Sequence, residues 1–295
     1  MPARPSPRSV LELLKPVTWF APMWAYCCGV VSAGFSFENR WLILAGGILL
    51  AGPLVCGASQ AINDWFDRHV DAINEPNRPI PSGRIPGRWG LYLSFILSIL
   101  CLLVAALLGV WVLFATLLGV ILAWAYSMPP VRLKQNGWWG NAAVGFSYEG
   151  LAWFTGAAAM LSGFPSVPIL ALAVLYSLAA HGTMTLNDFK AVDGDRRMGV
   201  KSLPVQLGVD FAVRLACVVM ALPQAAIIVL LLAWDRPFHA VALVALLALQ
   251  MVLMPSLIEN PRDRAPWYNA TGTSFFAIGM LVAAFAVRGV PTLWT

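Results

Sequence analysis

Long apolar runs alternate with short polar breaks along almost the whole chain. Nine apolar segments stand out, at about 16–36, 41–64, 89–109, 110–127, 139–162, 166–188, 209–234, 237–258 and 269–289. A helix that spans a bilayer needs ~20 apolar residues, so the pattern predicts about nine transmembrane helices. The third and fourth are nearly continuous and are divided near Gly109. Pro129, Pro130, Gly163, Pro165, Pro237 and Pro261 mark other breaks, where chains turn or helices start. A polar, basic tail (residues 1–15) runs straight into the first span, without the short core and small-residue cleavage site of a secretory signal. The expectation is one membrane domain over 1–295, with helices between 16 and 289 and two polar loops, 65–88 and 189–208, on the side of the tail.

Composition sharpens this. Of 295 residues, 59% are hydrophobic and 11% charged, and the mean hydropathy is +0.74. Soluble domains have about 45–50% apolar and ~25% charged residues, so a soluble enzyme, a disordered chain and a disulfide scaffold are excluded. The cysteines (Cys27, Cys28, Cys56, Cys101, Cys217) lie in apolar stretches without metal-ligand spacing and read as small buried side chains. The net charge of +5 reflects loop bias, not a nucleic-acid footprint. With the N-terminus inside, sixteen of nineteen Lys and Arg residues fall on one side, leaving Arg40, Arg236 and Arg288 on the other. By the positive-inside rule the basic side is cytoplasmic.

The acidic residues cluster on that side too. Asp64, Asp67, Asp71 and Glu75 occupy A-I-N-D-W-F-D-R-H-V-D and the residues just beyond it; Asp188, Asp193 and Asp195 occupy T-L-N-D-F-K-A-V-D-G-D. Both motifs place Asn-Asp at the end of an even-numbered span, 124 positions apart, and both precede a basic loop containing Gly and Ser. This reads as a weak duplication of four spans each, with a ninth helix appended.

Asn63, Asp67 and Asp71 are spaced to share one helix face, with Asp64 beside them. Like charges at that spacing repel, so stability does not explain them. One-sided oxygen ligands suit a hard cation such as Mg²⁺, held by one or two carboxylates, waters and substrate phosphates. Asn63, Asp64, Asp67, Asp71, Asp188, Asp193 and Asp195 are therefore candidate metal ligands, with Asp64, Asp67 and Asp188 the catalytic carboxylates. Basic residues surround them. Arg68, Arg78, Lys134, Lys190 and Lys201, together with Asn63 and Asn187, are candidate diphosphate ligands; singly, such loop cations are also ordinary positive-inside charges. A diphosphate beside an apolar bundle suggests an isoprenyl diphosphate, ionising to an allyl-cation-like centre as the leaving group is neutralised. Tyr126 and Tyr148, with Trp65 and Phe66, could face that cation, although each also suits interface packing. Glu149 is an intramembrane carboxylate and so a candidate site residue or a helix-pairing group. His181, inside the sixth span, could bind the metal of a tetrapyrrole or simply pair helices.

N-D-x-x-D-x-x-x-D with a second Asp cluster on a nine-span chain resembles the UbiA superfamily of intramembrane aromatic prenyltransferases. The longer strings at 63–83, 125–141 (A-Y-S-M-P-P-V-R-L-K-Q-N-G-W-W-G-N) and 187–205 resemble those of chlorophyll and bacteriochlorophyll synthases. The resemblance implies an all-α ring of nine helices around a cavity open to the cytoplasm and laterally to lipid. It implies esterification of the 17-propionate of a (bacterio)chlorophyllide with geranylgeranyl or phytyl diphosphate, with Mg²⁺ as cofactor. Asn63, Asp64, Asp67 and Asp71 match its first metal-diphosphate motif, and Asp188 with Asp193 and Asp195 its second. Arg78 and Lys134 match basic positions near the diphosphate. The second motif departs from the D-x-x-D spacing of quinone-pathway members, which leaves Asp193 and Asp195 as alternatives.

A propionate is already ionised at neutral pH, since carboxyl pKa values lie near ~4. It needs no general base, so the scarcity of histidine fits an esterifying enzyme better than one acting on a phenol. The short tail, without a transit-like extension, favours a bacterial membrane (cytoplasmic or intracytoplasmic) and bacteriochlorophyllide a as acceptor, with contacts to other pigment-pathway proteins conceivable. The rival readings are a haem- or quinone-precursor prenyltransferase, a secondary transporter and a non-catalytic pigment carrier.

Overall fold

A computed structural model describes residues 4–35, 38–288 and 290. Among these the chain is helical from end to end. A short amphipathic helix α1 (Pro7–Leu13) leads into α2 (Phe20–Ser32). Helix α3 runs over Trp41–Asn74, followed by α4 (Trp89–Leu108) and α5 (Val110–Ser127). Helix α6 covers 137–161 in three stretches, Gly137–Gly145, Phe146–Leu151 and Ala152–Leu161. Then come α7 (Val167–Thr185), the short α8 (Val192–Met198) and α9 (Leu203–Leu207), and α10 (Val209–Ala233), α11 (Pro237–Glu259) and α12 (Pro261–Ala286).

All nine expected segments become helix, but among the described residues seven helices qualify by length and composition as membrane spans: α3, α4, α5, α7, α10, α11 and α12. Helix α2 has only 13 residues, about 20 Å at ~1.5 Å per residue. Helix α6 also falls outside the seven; its middle stretch Phe146–Leu151 is π-helical, as Leu50–Cys56 is within α3, which does qualify. The count of nine crossings is therefore not confirmed. The division at Gly109 holds: its φ of +133° is open to glycine and strained for other residues.

Each long helix packs on a neighbour, and α12 returns to α2 to close the circuit. Away from the acidic motifs, α2 and the last stretch of α6 press together. A Cβ on Gly29 would stand 2.0 Å from the Trp153 carbonyl oxygen, and one on Gly156 would stand 2.1 Å from that of Tyr26. These reciprocal glycines let two backbones touch, the usual means of helix association in lipid. Trp153 and Tyr176 stack beside them in the largest apolar core. Leu107, Phe238, Val241 and Val252 point outward, as lipid-facing side chains must.

The suspected duplication is unequal. Helix α3 continues ten residues past Asp64, to Asn74. Helix α7 stops at Thr185, so Asn187 and Asp188 lie in turns and Asp193 and Asp195 in the separate α8.

Candidate active site

The bundle encloses a cavity of about 520 Å³, within the ~300–1,000 Å³ of small-molecule sites. Its depth is lined by small and apolar residues, among them Leu50, Ala51, Ala115, Gly119, Leu151 and Ala152. At the motif end it meets a second cleft of about 490 Å³. Asp67, Tyr126, Asn141 and Asp188 line both, so these four mark the passage between an apolar chamber and a polar mouth.

Helix α3 delivers the first motif. Asn63 and Asp67 line the cavity, Asp71 lines the cleft, and Asp64 is 1% exposed. The loop after α3 turns back through Gly83 and Gly87, both at positive φ, with the Ile85 amide donating to the Pro79 carbonyl at 2.8 Å. This returns Arg78 to the motif: it donates to Asp71 Oδ2 at 2.9 Å and stands 3.7 Å from Asp64 Oδ1. Burial of Arg78 opposes its charge, but Asp64 and Asp71 outweigh that and raise its pKa. Lys15 donates to Asp64 Oδ1 at 2.7 Å.

The segment after α5 supplies two more cations. Arg132 adopts φ +40°, and a 3₁₀ turn over Leu133–Gln135 follows. Arg132 then donates to Asp67 Oδ1 at 3.0 Å and Lys134 to Oδ2 at 2.5 Å. Burial lowers the pKa of Lys134, against the pull of Asp67. A two-residue ladder fixes this segment to the loop before α9: the Lys201 amide donates to the Gln135 carbonyl at 2.8 Å and the Gly137 amide to the Lys201 carbonyl at 2.7 Å. Only glycine fits at 137, where a Cβ would meet the Leu203 nitrogen at 2.5 Å.

The second motif is built differently. Asp188 accepts from the Asn141 amide at 3.3 Å and makes no ion pair among the described residues. Burial without a neighbouring cation raises its pKa to about 6, with Asn141 opposing and Asp195 adding to the rise. Asp195 lines the cleft, and burial raises its pKa as well. Asp193 points outward, 3.4 Å from Arg262.

The donor set fits a hard divalent cation on two observations. Among the described residues Asp64 Oδ2 is buried without a hydrogen-bond partner, and Asp188 has no ion-pair partner at the passage it lines together with Asp67. Among the described residues no three His, Cys, Asp or Glu side chains form a ready-made cage.

The structure thus gathers Asn63, Asp64, Asp67, Asp71, Arg78, Tyr126, Lys134, Tyr148, Asn187, Asp188 and Asp195 around the cavity and cleft. It does not gather six other candidates. Arg68 folds over the Trp65 ring at 4.1 Å and donates to the Trp65 carbonyl at 2.7 Å. Lys190 and Lys201 are exposed and line neither space; Lys201 contributes its backbone. Asp193 is exposed. Glu149 is buried and lines neither space, its Oε2 unpartnered. His181 meets the Trp138 carbonyl at 3.2 Å. Being next to a motif, or polar within a span, does not aim a side chain inward. Lys15 and Asn141 do reach the site, although sequence reasoning had not selected them, and so does Arg132, which the sequence places with Lys134 among the cations at the end of the fourth span. Lys15 sits just before the first span, and the other two lie inside the 125–141 string.

A membrane-embedded apolar chamber whose mouth carries two Asn-Asp motifs and several cations defines an enzyme handling a lipid diphosphate. Residues 20–277 match the UbiA prenyltransferase family model, and the chain belongs to that family. It is 55% identical to the bacteriochlorophyll synthase 33 kDa chain of Cereibacter sphaeroides, covering 98% of this chain and 96% of that one. It is 39% identical to the chloroplastic chlorophyll synthase of Arabidopsis thaliana, covering 94% and 73%. Among solved structures, a UbiA homologue from Archaeoglobus fulgidus superposes with a TM-score of 0.73 at 19% identity, covering 96% and 100%. The same homologue bound to DMAPP and Mg²⁺ gives 0.68; at such identity the likeness shows the fold alone.

Proposed function

We propose that this multi-pass membrane prenyltransferase esterifies the 17-propionate of bacteriochlorophyllide a with geranylgeranyl or phytyl diphosphate. The observation that carries the reading is the junction of the apolar cavity with the polar cleft at Asp67, Tyr126, Asn141 and Asp188. A prenyl diphosphate laid through it would have its tail in the chamber and its charge at the mouth. Identity of 55% along nearly the whole length of a bacteriochlorophyll synthase chain supports the choice of acceptor.

Asn63, Asp64, Asp67 and Asp71 would hold Mg²⁺ from one side, and Asp188 and Asp195 from the other. The metal would bind the diphosphate and neutralise charge on the departing group. Lys15, Arg78, Arg132 and Lys134 are seated on carboxylates and within reach of the same mouth, so they can transfer their hydrogen bonds to phosphate oxygens. The C1–O bond to diphosphate breaks, and its electron pair leaves with the diphosphate. A propionate oxygen supplies the pair for the new C1–O bond, and no proton moves. Tyr126, at the passage, would offer a π face to the cationic carbon, while the surrounding apolar walls would exclude water from it. The basic mouth would face the cytoplasm of a bacterial inner membrane, by the positive-inside rule.

The test is ester formation by purified protein in detergent, given bacteriochlorophyllide a, geranylgeranyl diphosphate and Mg²⁺. A lipophilic pigment ester that disappears with EDTA supports the reading. Prenylation of a phenol or haem instead would keep the family chemistry and overturn the acceptor.

A further inference from the structure

One part of the cavity wall is unexplained by a diphosphate or a hydrocarbon. Cys56 and Gln60 lie on α3 on the face that carries Asn63 and Asp67, one to two turns deeper in the bundle. Gln60 precedes Asn63 by three residues, a rise of roughly 4.5 Å. Opposite them Tyr148 projects from the π-helical stretch of α6. Such stretches re-aim side chains and recur at functional sites. Gln60 Nε2 donates to the Tyr148 hydroxyl at 3.3 Å, and Cys56 Sγ lies 3.2 Å from that hydroxyl. Thr18 and Ser59 flank the cluster, and all five residues line the chamber.

The hydrogen-bond count is lopsided. The Cys56 thiol has the Thr18 carbonyl as an acceptor, at 3.6 Å, and the Thr18 hydroxyl donates to the Lys15 carbonyl at 2.9 Å. With Gln60 donating to it, the Tyr148 hydroxyl rests its own proton on Cys56 Sγ, a weak acceptor that a charged oxygen in the chamber can replace, and among the described residues one Gln60 N–H is spare. Among the described residues no charged side chain is bonded to these groups. A polyisoprenyl tail offers nothing for such donors, and burying polar groups against hydrocarbon is costly. The diphosphate cations and metal ligands all lie nearer the mouth.

We infer that Tyr148 and Gln60, backed by Cys56, form the subsite that binds the carboxylate of the acceptor. This rests on the proposed esterification and adds where the second substrate's reactive group is held. Two neutral donors suit an ionised carboxylate that must stay nucleophilic: they hold and orient it, and no lysine or arginine ties up its charge. The ledge also lies on the tail side of the diphosphate motif, where the attacked carbon must be if the tail occupies the apolar depth. The charged mouth and the acceptor ledge would thus use one face of one helix in sequence.

The experiment compares binding of bacteriochlorophyllide a with that of its 17-propionate methyl ester, which has the same ring and no carboxylate. Titrations follow pigment absorbance in the wild-type protein and in Tyr148→Phe, Gln60→Met and the double variant. Each hydrogen bond to a charged group contributes roughly a tenfold factor or more. The wild type is expected to prefer the free acid by at least about tenfold, with the preference falling to near unity in the double variant. KM for geranylgeranyl diphosphate should change less than about twofold, which loss of packing alone would not spare. Tyr148→Phe leaves the ring in place, so folding is preserved. An acid preference that persists in the double variant overturns the subsite while leaving the esterification intact. A wild type that binds neither pigment overturns the esterification, and the subsite with it.

Discussion

The two Asn-Asp motifs look alike as strings and differ as electrostatic objects. The α3 motif is balanced from within the chain: Lys15, Arg78, Arg132 and Lys134 each sit on one of its three aspartates. Asp188, in the turn after α7, has neutral partners only, the Asn141 amide and the Leu203 backbone, and a raised pKa. The first is a stable arrangement that must release cations to work; the second carries a charge that only a ligand relieves. Buried ion pairs are costly to break from one side, because the remaining charge is left without its partner. A half-buried carboxylate without a cation is the reverse case: removing its charge should favour the fold. The two motifs should therefore fail in opposite ways.

Asp67 gives the largest effect. It lines both spaces and receives two cations, so Asp67→Ala should remove an electrostatic group at the reacting centre. The loss expected is about 10²–10³ in kcat, the range for removing one such group, and it is measured as initial rate of pigment-ester formation at saturating Mg²⁺. A variant retaining more than a tenth of wild-type kcat would place the metal-diphosphate site elsewhere.

Neutralising the other carboxylates tests the contrast itself. Asp64→Asn leaves Lys15 and part of Arg78 without an anion and should lower stability by about 1–3 kcal/mol, read from thermal unfolding in detergent with EDTA. Asp188→Asn should also lose most activity, yet unfold at an equal or higher temperature. If both variants lose stability together, the motifs are not electrostatically distinct.

How much of this was open to reading in the sequence depends on the range of the interaction. Seven of the nine expected spans were legible because lipid demands long apolar runs, and even the break at Gly109 could be placed; α2 and α6 do not qualify as spans. So were Asn63, Asp67 and Asp71, whose spacing puts them on one face of a helix. The end of α7 at Thr185 was not, since the apolar run and the Asn-Asp echo both suggested continuation. Nor were the pairings of Lys15 with Asp64 and Asn141 with Asp188, which join positions 49 and 47 residues apart. Glu149 and His181 drew notice as polar groups in apolar spans, yet side-chain direction, fixed by packing against other helices, keeps them from the cavity lining.

The pH dependence separates the motifs more finely. The Asp188 carboxyl has a folded-state pKa near 6, above its ordinary 3.8. Between those values the folded protein holds a proton that the unfolded chain does not, so this group favours folding as pH falls through about 6 and disfavours it above. Metal must compete with that proton, so the Mg²⁺ concentration for half-maximal rate should rise about tenfold per unit below pH 6. Thermal unfolding of Asp188→Asn should lose this pH-linked gain. A Mg²⁺ requirement unchanged between pH 5 and pH 7.5 would remove Asp188 from the metal site.

Arg68 is predicted to have the smallest effect and makes the sharpest control, because it lies inside the first motif string, beside Asp67. Its guanidinium lies on Trp65 and bonds the Trp65 carbonyl, one turn back on the same helix. If proximity in sequence to the acidic motif were enough to engage diphosphate, Arg68→Ala would raise KM for geranylgeranyl diphosphate by tenfold or more, as expected for losing a charged hydrogen bond. The orientation seen here predicts a change below about twofold in kcat and in KM, since a half-buried cation–π contact contributes only about 1–2 kcal/mol to local order. Arg78→Ala, ten residues on but folded back onto Asp71, should show the large KM effect instead. Equal effects at both positions would mean that the cations act through net charge at the mouth, and the distinction between seated and unseated carboxylates would lose its functional meaning.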